Sequence, residues 1–328
     1  MPELTMVQAI NRALREEMAR DPRVMVLGED VGRDGGIFRV TDGLLDQFGE
    51  DRVVDTPLAE TGIIGTSVGL AVGGMVPVPE MQFQNFSYYA FAQIENHVAR
   101  MRWRSQGRFT CPMVIRMPYG AGIHALELHS ESREAYFAHT PGLKVVIPRS
   151  PLKAYQLLKA SIRDPDPVIF CEPSALYRRV REEVPEGPEG ALPPLGEAEV
   201  VQEGEGLTLV SYGAMLQRTL KAAETLAQET GTRPEVIDLQ TISPLDSDTV
   251  VGSVKKTGRC VVVNEAPRTL GVPAELIARL NEEALEYLEA PIARVTGYDV
   301  HVPLFAREDA YMPDEPRILE AARATLAY

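Results

Sequence analysis

Short apolar runs alternate with helical patterns twice over in this 328-residue chain, and a stretch rich in Pro, Gly and Glu separates the two sets. Residues 24–27 are continuously apolar, as a parallel strand buried on both faces must be. Residues 53–54, 76–81, 113–117, 144–147 and 168–170 are further strand candidates. Between them lie helical patterns. Thr5 precedes Met6, Ala9, Ile10, Ala13, Leu14 and Met18, close to a 3.6-residue period behind a capping hydroxyl. Helices are also predicted over 62–74 and 89–103, and over 151–163 behind Ser150 with Pro151 at the first helical position. After the non-periodic stretch 182–196 come strands at 207–211, 235–239, 260–264 and 292–295, with helices at 215–229, 246–256 and 270–288. Strands that alternate with helices imply parallel sheets joined by crossovers. The expected fold is α/β, two doubly wound domains with mainly parallel sheets: residues 1–184, a linker at 185–204, and residues 205–328, whose tail ends in a short helix.

The net charge of −14 and a pI near 4.9 leave no basic block to neutralise phosphates, so nucleic acid is not an expected partner. Cys111, Cys171 and Cys260 have no paired spacing, which fits buried thiols in a reducing compartment. No apolar run is long enough to cross a bilayer. The expectation is a soluble cytoplasmic chain with no membrane partner. Neither G-x-G-x-x-G nor G-x-x-x-x-G-K-[ST] occurs, which argues against a classical NAD or ATP enzyme.

Residues 53–74 are the densest stretch. An apolar strand runs through Thr56-Pro57 into Glu60, at the mouth of a helix with Gly65, Gly69 and Gly73 on one face. Strand-to-helix junctions are where open α/β sheets bind ligands. A carboxylate at a helix start also offsets the macrodipole, and glycines also serve packing. The run Gln82 to Tyr89 follows another strand with amides and aromatics, suited to a flat heteroaromatic ring or to an aromatic core corner. Residues 119–130 hold His124 and His129 on a glycine-rich loop after a strand, without the neighbours a zinc site needs. A histidine there suits proton handling or plain solvation.

Taken together, the segments resemble the beta subunit of the thiamine-diphosphate-dependent decarboxylase component of 2-oxo acid dehydrogenase complexes. The resemblance spans nearly the whole chain. It is carried by Leu27-Gly-Glu-Asp-Val-Gly32, Asp55-Thr-Pro-Leu-Ala-Glu-Thr-Gly-Ile63, Glu80-Met-Gln-Phe83, His129-Ser-Glu-Ser132, Pro141-Gly-Leu-Lys-Val-Val-Ile-Pro148, Ile162-Arg-Asp-Pro-Asp-Pro167, Tyr212-Gly213 and Lys256-Thr-Gly-Arg259. Residues 136–142, 147–151, 172–173, 176–178 and 294–299 lean toward the branched-chain members, with pyruvate and acetoin dehydrogenase beta subunits as alternatives. A non-catalytic docking or oligomerising subunit is a further alternative.

The resemblance implies a transketolase-like pyrimidine-binding domain followed by a C-terminal transketolase-like domain. It gives Glu60 the role of hydrogen-bonding a pyrimidine nitrogen of thiamine diphosphate. Phe86 would pack on that ring, and Leu58 and Gln82 would line the same pocket. His129 would serve acyl transfer to the lipoyl group of the dihydrolipoyl acyltransferase. The chain has no Gly-Asp-Gly motif of the kind that holds Mg²⁺ and the diphosphate. That half of the site is therefore expected on an alpha subunit, within a two-alpha, two-beta tetramer. The C-terminal domain would pair beta chains and dock the acyltransferase's subunit-binding domain. A structural potassium ion, held largely by carbonyls, is expected near Met113, Ser161, Ile162, Asp164 and Asp166.

Overall fold

The computed structural model describes residues 2–187 and 192–328, and divides them into two compact units. The first comprises residues up to Tyr119 together with Tyr136–Leu195; the second comprises Gly120–Ala135 and Gly196–Tyr328. The loop that carries His124 and His129 thus packs with the C-terminal part of the chain, although it lies inside the first run of strands.

In the first unit, β1 (Glu3–Thr5) leads into α1 (Met6–Arg20). Thr5 and Gln8 form a reciprocal capping box, and α1 buries the six apolar positions its period selects. The strands that follow are β2 (Val24–Gly28), β3 (Val53–Asp55), β4 (Val76–Glu80), β5 (Val114–Tyr119), β6 (Lys144–Val146) and β7 (Val168–Pro173). They lie side by side in the order β6-β7-β5-β4-β2-β3, all parallel. Every residue of β2, β4, β5 and β7 is buried, which explains why they are mostly apolar and why the charged residues they carry, Glu80, Arg116 and Glu172, are paired. β8 (Arg181–Glu183) pairs antiparallel with β1. α2 (Leu44–Phe48) and α3 (Glu60–Val72) flank β3. The helix Pro151–Arg163 packs on α1, where Arg163 meets Glu17 at 2.5 Å and Lys159 meets Glu16 at 2.6 Å.

The regular helix expected over 89–103 is instead a series of short turns: a 3₁₀ helix at Gln84–Ala90, a turn at Phe91–Gln93, a π turn at Ile94–Val98 and a last turn at Met101–Arg104. Side-chain hydroxyls take carbonyls that a regular helix would use. Ser87 donates to the Gln84 carbonyl at 2.5 Å, and Thr61 of α3 donates to the Tyr89 carbonyl.

The second unit contains β9 (Glu199–Gln202), β10 (Thr208–Ser211), β11 (Glu235–Asp238), β12 (Thr241–Ser243), β13 (Cys260–Pro267) and β14 (Ala293–Gly297). Its sheet has the order β14-β13-β10-β11-β9, parallel except for the antiparallel edge strand β9. Part of the expected linker 185–204 is therefore strand, because β9 covers the free edge of β11. Residues 188–191 of that linker lie outside the described residues. The helices Met215–Thr230 and Ser247–Thr257 end in left-handed glycine caps at Gly231 and Gly258. Among the described residues no helix is long and apolar enough to cross a membrane.

Candidate active site

In the first unit β3 and β4 flank β2 in parallel, with Gly28 opposite both Asp55 and Glu80. That register brings three strand ends to one edge of the sheet. Glu29 and Asp30 leave β2, the segment to Glu60 leaves β3, and Met81 to Phe86 leaves β4. The chain leaves β2 for one side and returns through β4 on the other, so the edge between them is a topological switch point, where doubly wound sheets bind ligands.

Glu60 is the first residue of α3 and is only 7 % exposed. Glu29 is equally buried, and its Oε1 has no hydrogen-bond partner. Burial, reinforced by the charges of Glu60 and Asp30, raises the Glu29 carboxyl above the usual carboxylate range. Two buried carboxyls whose charges feel one another favour sharing a proton or accepting a donor from outside. Gln82 donates from Nε2 to Asp30 Oδ2 at 3.0 Å and ties the β4 loop to the β2 loop. Phe86 is half-buried, with its ring 5.5 Å from Phe83 in an edge-on arrangement. Leu58 is 79 % exposed and offers its side chain outward. Glu60, Gln82, Phe86 and Leu58 all lie along this edge, and Glu29 is the member that sequence reasoning passed over. Its signal was a pair of acids directly after a buried strand.

Below the edge, Arg116 of β5 lies between Glu80 and Glu172, at 2.6 and 2.7 Å. The Tyr177 hydroxyl donates to Glu172 at 2.5 Å. One guanidinium cannot neutralise two carboxylates, and the phenol satisfies part of the remainder. This network fixes β4, β5 and β7 beneath the loops.

In the second unit, His129 closes a 3₁₀ turn at Glu127–His129 and is half-buried. Its loop is gripped by acids far along the chain. Glu265 accepts the Ala121 amide at 2.8 Å, and Glu308 accepts those of Gly122 and His124. None of these acids stood out in the sequence.

The residues expected around potassium lie together in the first unit, but their side chains are committed elsewhere. Asp164 meets Lys144 and Asp166 meets Arg102, each at 2.6 Å. The Met113 carbonyl accepts the Val168 amide, and that of Ser161 accepts the Asp164 amide. Ile162 is buried. Among the described residues no group of three or more His, Cys, Asp or Glu is placed to hold a metal. The cysteines are buried, and burial pushes the Cys111 and Cys260 thiols up to about 12, far from nucleophilic use.

Residues 2–180 match the family model for the transketolase pyrimidine-binding domain, and residues 196–318 match that for the transketolase C-terminal domain. A split-gene transketolase, solved as an inactive beta4 tetramer, superposes with a TM-score of 0.79 over 99 % of both chains at 22 % identity, a likeness of fold. Relatives named pyruvate dehydrogenase E1 component subunit beta are 52 % identical in Staphylococcus epidermidis and 48 % identical in Bacillus subtilis, over the full length of both chains. The chain belongs to the transketolase-like E1 beta subunits of the 2-oxo acid dehydrogenases.

Proposed function

We propose that this chain is the beta half of a pyruvate-type E1 component, and that with an alpha subunit it decarboxylates pyruvate on thiamine diphosphate and passes the acyl group to a lipoyl arm. The branched-chain lean of residues 136–142 and 294–299 yields to the relatives, which are named for pyruvate. The observation that carries the catalytic part is the pair of buried, electrostatically coupled carboxyls, Glu29 and Glu60, at the switch point.

The edge fits the pyrimidine half of that cofactor. Glu29 Oε1 is a buried acceptor without a donor, which a ring nitrogen or exocyclic amine would supply. Phe86 offers a half-buried aromatic face, and Leu58 an exposed apolar side chain. When bound, the coenzyme supplies the carbanion and the electron sink for decarboxylation. Glu60 holds a proton at the ring nitrogen, and its length matters, since aspartate falls roughly one methylene short. Burial and the neighbouring charges of Glu60 and Asp30 favour the protonated form of Glu29. His129 donates a proton during acyl transfer to the partner's lipoyl group. With no Gly-Asp-Gly motif here, Mg²⁺ and the diphosphate are assigned to the alpha chain. A potassium ion near Met113 and Ile162 would rest on carbonyls, since both nearby carboxylates already hold cations.

The test is to co-purify the alpha and beta chains and compare pyruvate, 3-methyl-2-oxobutanoate and acetoin as substrates. Pyruvate should give the highest kcat/KM. A preference for 3-methyl-2-oxobutanoate would restore the branched-chain assignment.

A further inference from the structure

The loop Gly120–Ala135 follows a backbone path that its own residues do not favour. Gly120 and Gly122 have φ of +85° and +98°, and His124, with a side chain, has φ of +53°. It is held there by carboxylates from the C-terminal half of the second unit. Glu265 Oε2 accepts the Ala121 amide, and Glu308 Oε1 accepts both the Gly122 and His124 amides. The His124 Nδ1 lies 3.0 Å from the Phe305 carbonyl, which makes that nitrogen the donor. Further along, Glu131 meets Arg133 and His301, each at 2.8 Å, and Tyr212 donates to Glu134 at 2.7 Å. Glu265, Glu308 and Glu134 are all buried. Amide-to-carboxylate bonds in a dry setting are charge-assisted and directional.

We propose that Glu265 and Glu308 are positioning residues: by accepting the amides of Ala121, Gly122 and His124 they fix the loop that carries His129, and so govern the step His129 serves. This inference rests on the acyl-transfer role proposed for His129. Several groups face Glu265. Ser132 and Glu134 come from the loop, Arg218 from helix Met215–Thr230, and Tyr311 from the turn after Glu308. Burial, with the Glu134 charge adding to it, lifts the Glu265 carboxyl to about 7. The loop's own Ala121 amide and Ser132 hydroxyl act the other way and favour the ionised form.

The experiment uses the reconstituted alpha–beta complex, with hydrogen exchange of the peptide covering 119–126 read by mass spectrometry. Both half-reactions are assayed beside it: decarboxylation with an artificial electron acceptor, and lipoyl acylation. Glu308→Ala should speed exchange in that peptide by about tenfold and slow acylation more than decarboxylation. Glu308→Gln, which keeps a carbonyl acceptor, should recover part of both losses. Glu265→Ala should likewise speed exchange in that peptide, and Glu265→Gln, which keeps a carbonyl acceptor for the Ala121 amide, should recover part of the loss. Unchanged protection in Glu308→Ala overturns the proposal, as does lost protection with both half-reactions unchanged. His129→Ala separates the two layers. If it slows both half-reactions equally while Glu308→Ala still loses protection, the docking stands and the acyl-transfer role fails.

Discussion

Arg116 donates from Nη1 to Glu80 Oε2 at 2.6 Å, and both side chains are buried in the first unit. Removing the guanidinium would strand Glu80 and Glu172 together in a dry interior. Arg116→Met should therefore cost about 3–5 kcal/mol, read as a lower urea midpoint for the folded chain. Adding Glu80→Gln to it should recover part of that loss, because one of the two stranded charges is gone.

Gly120 combines a φ of +85° with a close approach: a Cβ there would meet Glu265 Oε2 at 2.8 Å. Gly120→Ala should cost about 1–3 kcal/mol from the backbone alone, with the carboxylate displaced as well. A lower melting temperature together with faster exchange of residues 119–126 would confirm it. Wild-type behaviour in both would contradict the close approach.

The Glu265 carboxyl titrates near 7 when folded, against an ordinary value of 4.5. A raised carboxyl means the folded state holds the extra proton, so its stabilising contribution is full below about 4.5 and is lost as pH rises through 7. Glu265→Gln should flatten the stability profile between those limits and stabilise the chain at pH 8, by up to about 3 kcal/mol. Denaturant titrations at pH 5 and pH 8 would measure the change of slope.

If His129 hands a proton to the lipoyl sulfur, His129→Ala should slow lipoyl acylation by about 10²-fold or more. Decarboxylation read with an artificial acceptor should change by less than about threefold. Equal losses in the two assays would assign His129 to another step.

Much of the fold was legible because strands buried in a parallel sheet are predominantly apolar, as β2 is throughout and β4, β5 and β7 are apart from Glu80, Arg116 and Glu172. Thr5 and Ser150 announced their helices by capping chemistry that needs only local residues. Glu60 was visible as a carboxylate at a strand-to-helix junction. Glu29 was not, because its approach to Glu60 is set by the Gly28–Asp55 register, which one strand's sequence does not state. Nor was the grip of Glu265 and Glu308 on the histidine loop, whose partners lie 144 and 186 residues apart. The segment 89–103 was misjudged as one helix because the π turn Ile94–Val98 and the Thr61 hydroxyl on the Tyr89 carbonyl break the regular ladder without disturbing the hydrophobic pattern. The branched-chain lean rested on short motifs, and the full-length relatives named for pyruvate outweigh it.

Glu60→Gln in the reconstituted complex tests the central claim most directly. The account predicts cofactor affinity within about tenfold of wild type and decarboxylation reduced by about 10²-fold or more, since the amide keeps the shape and loses the proton-holding carboxyl. Undiminished turnover would contradict it and would leave the chain a docking or oligomerising subunit.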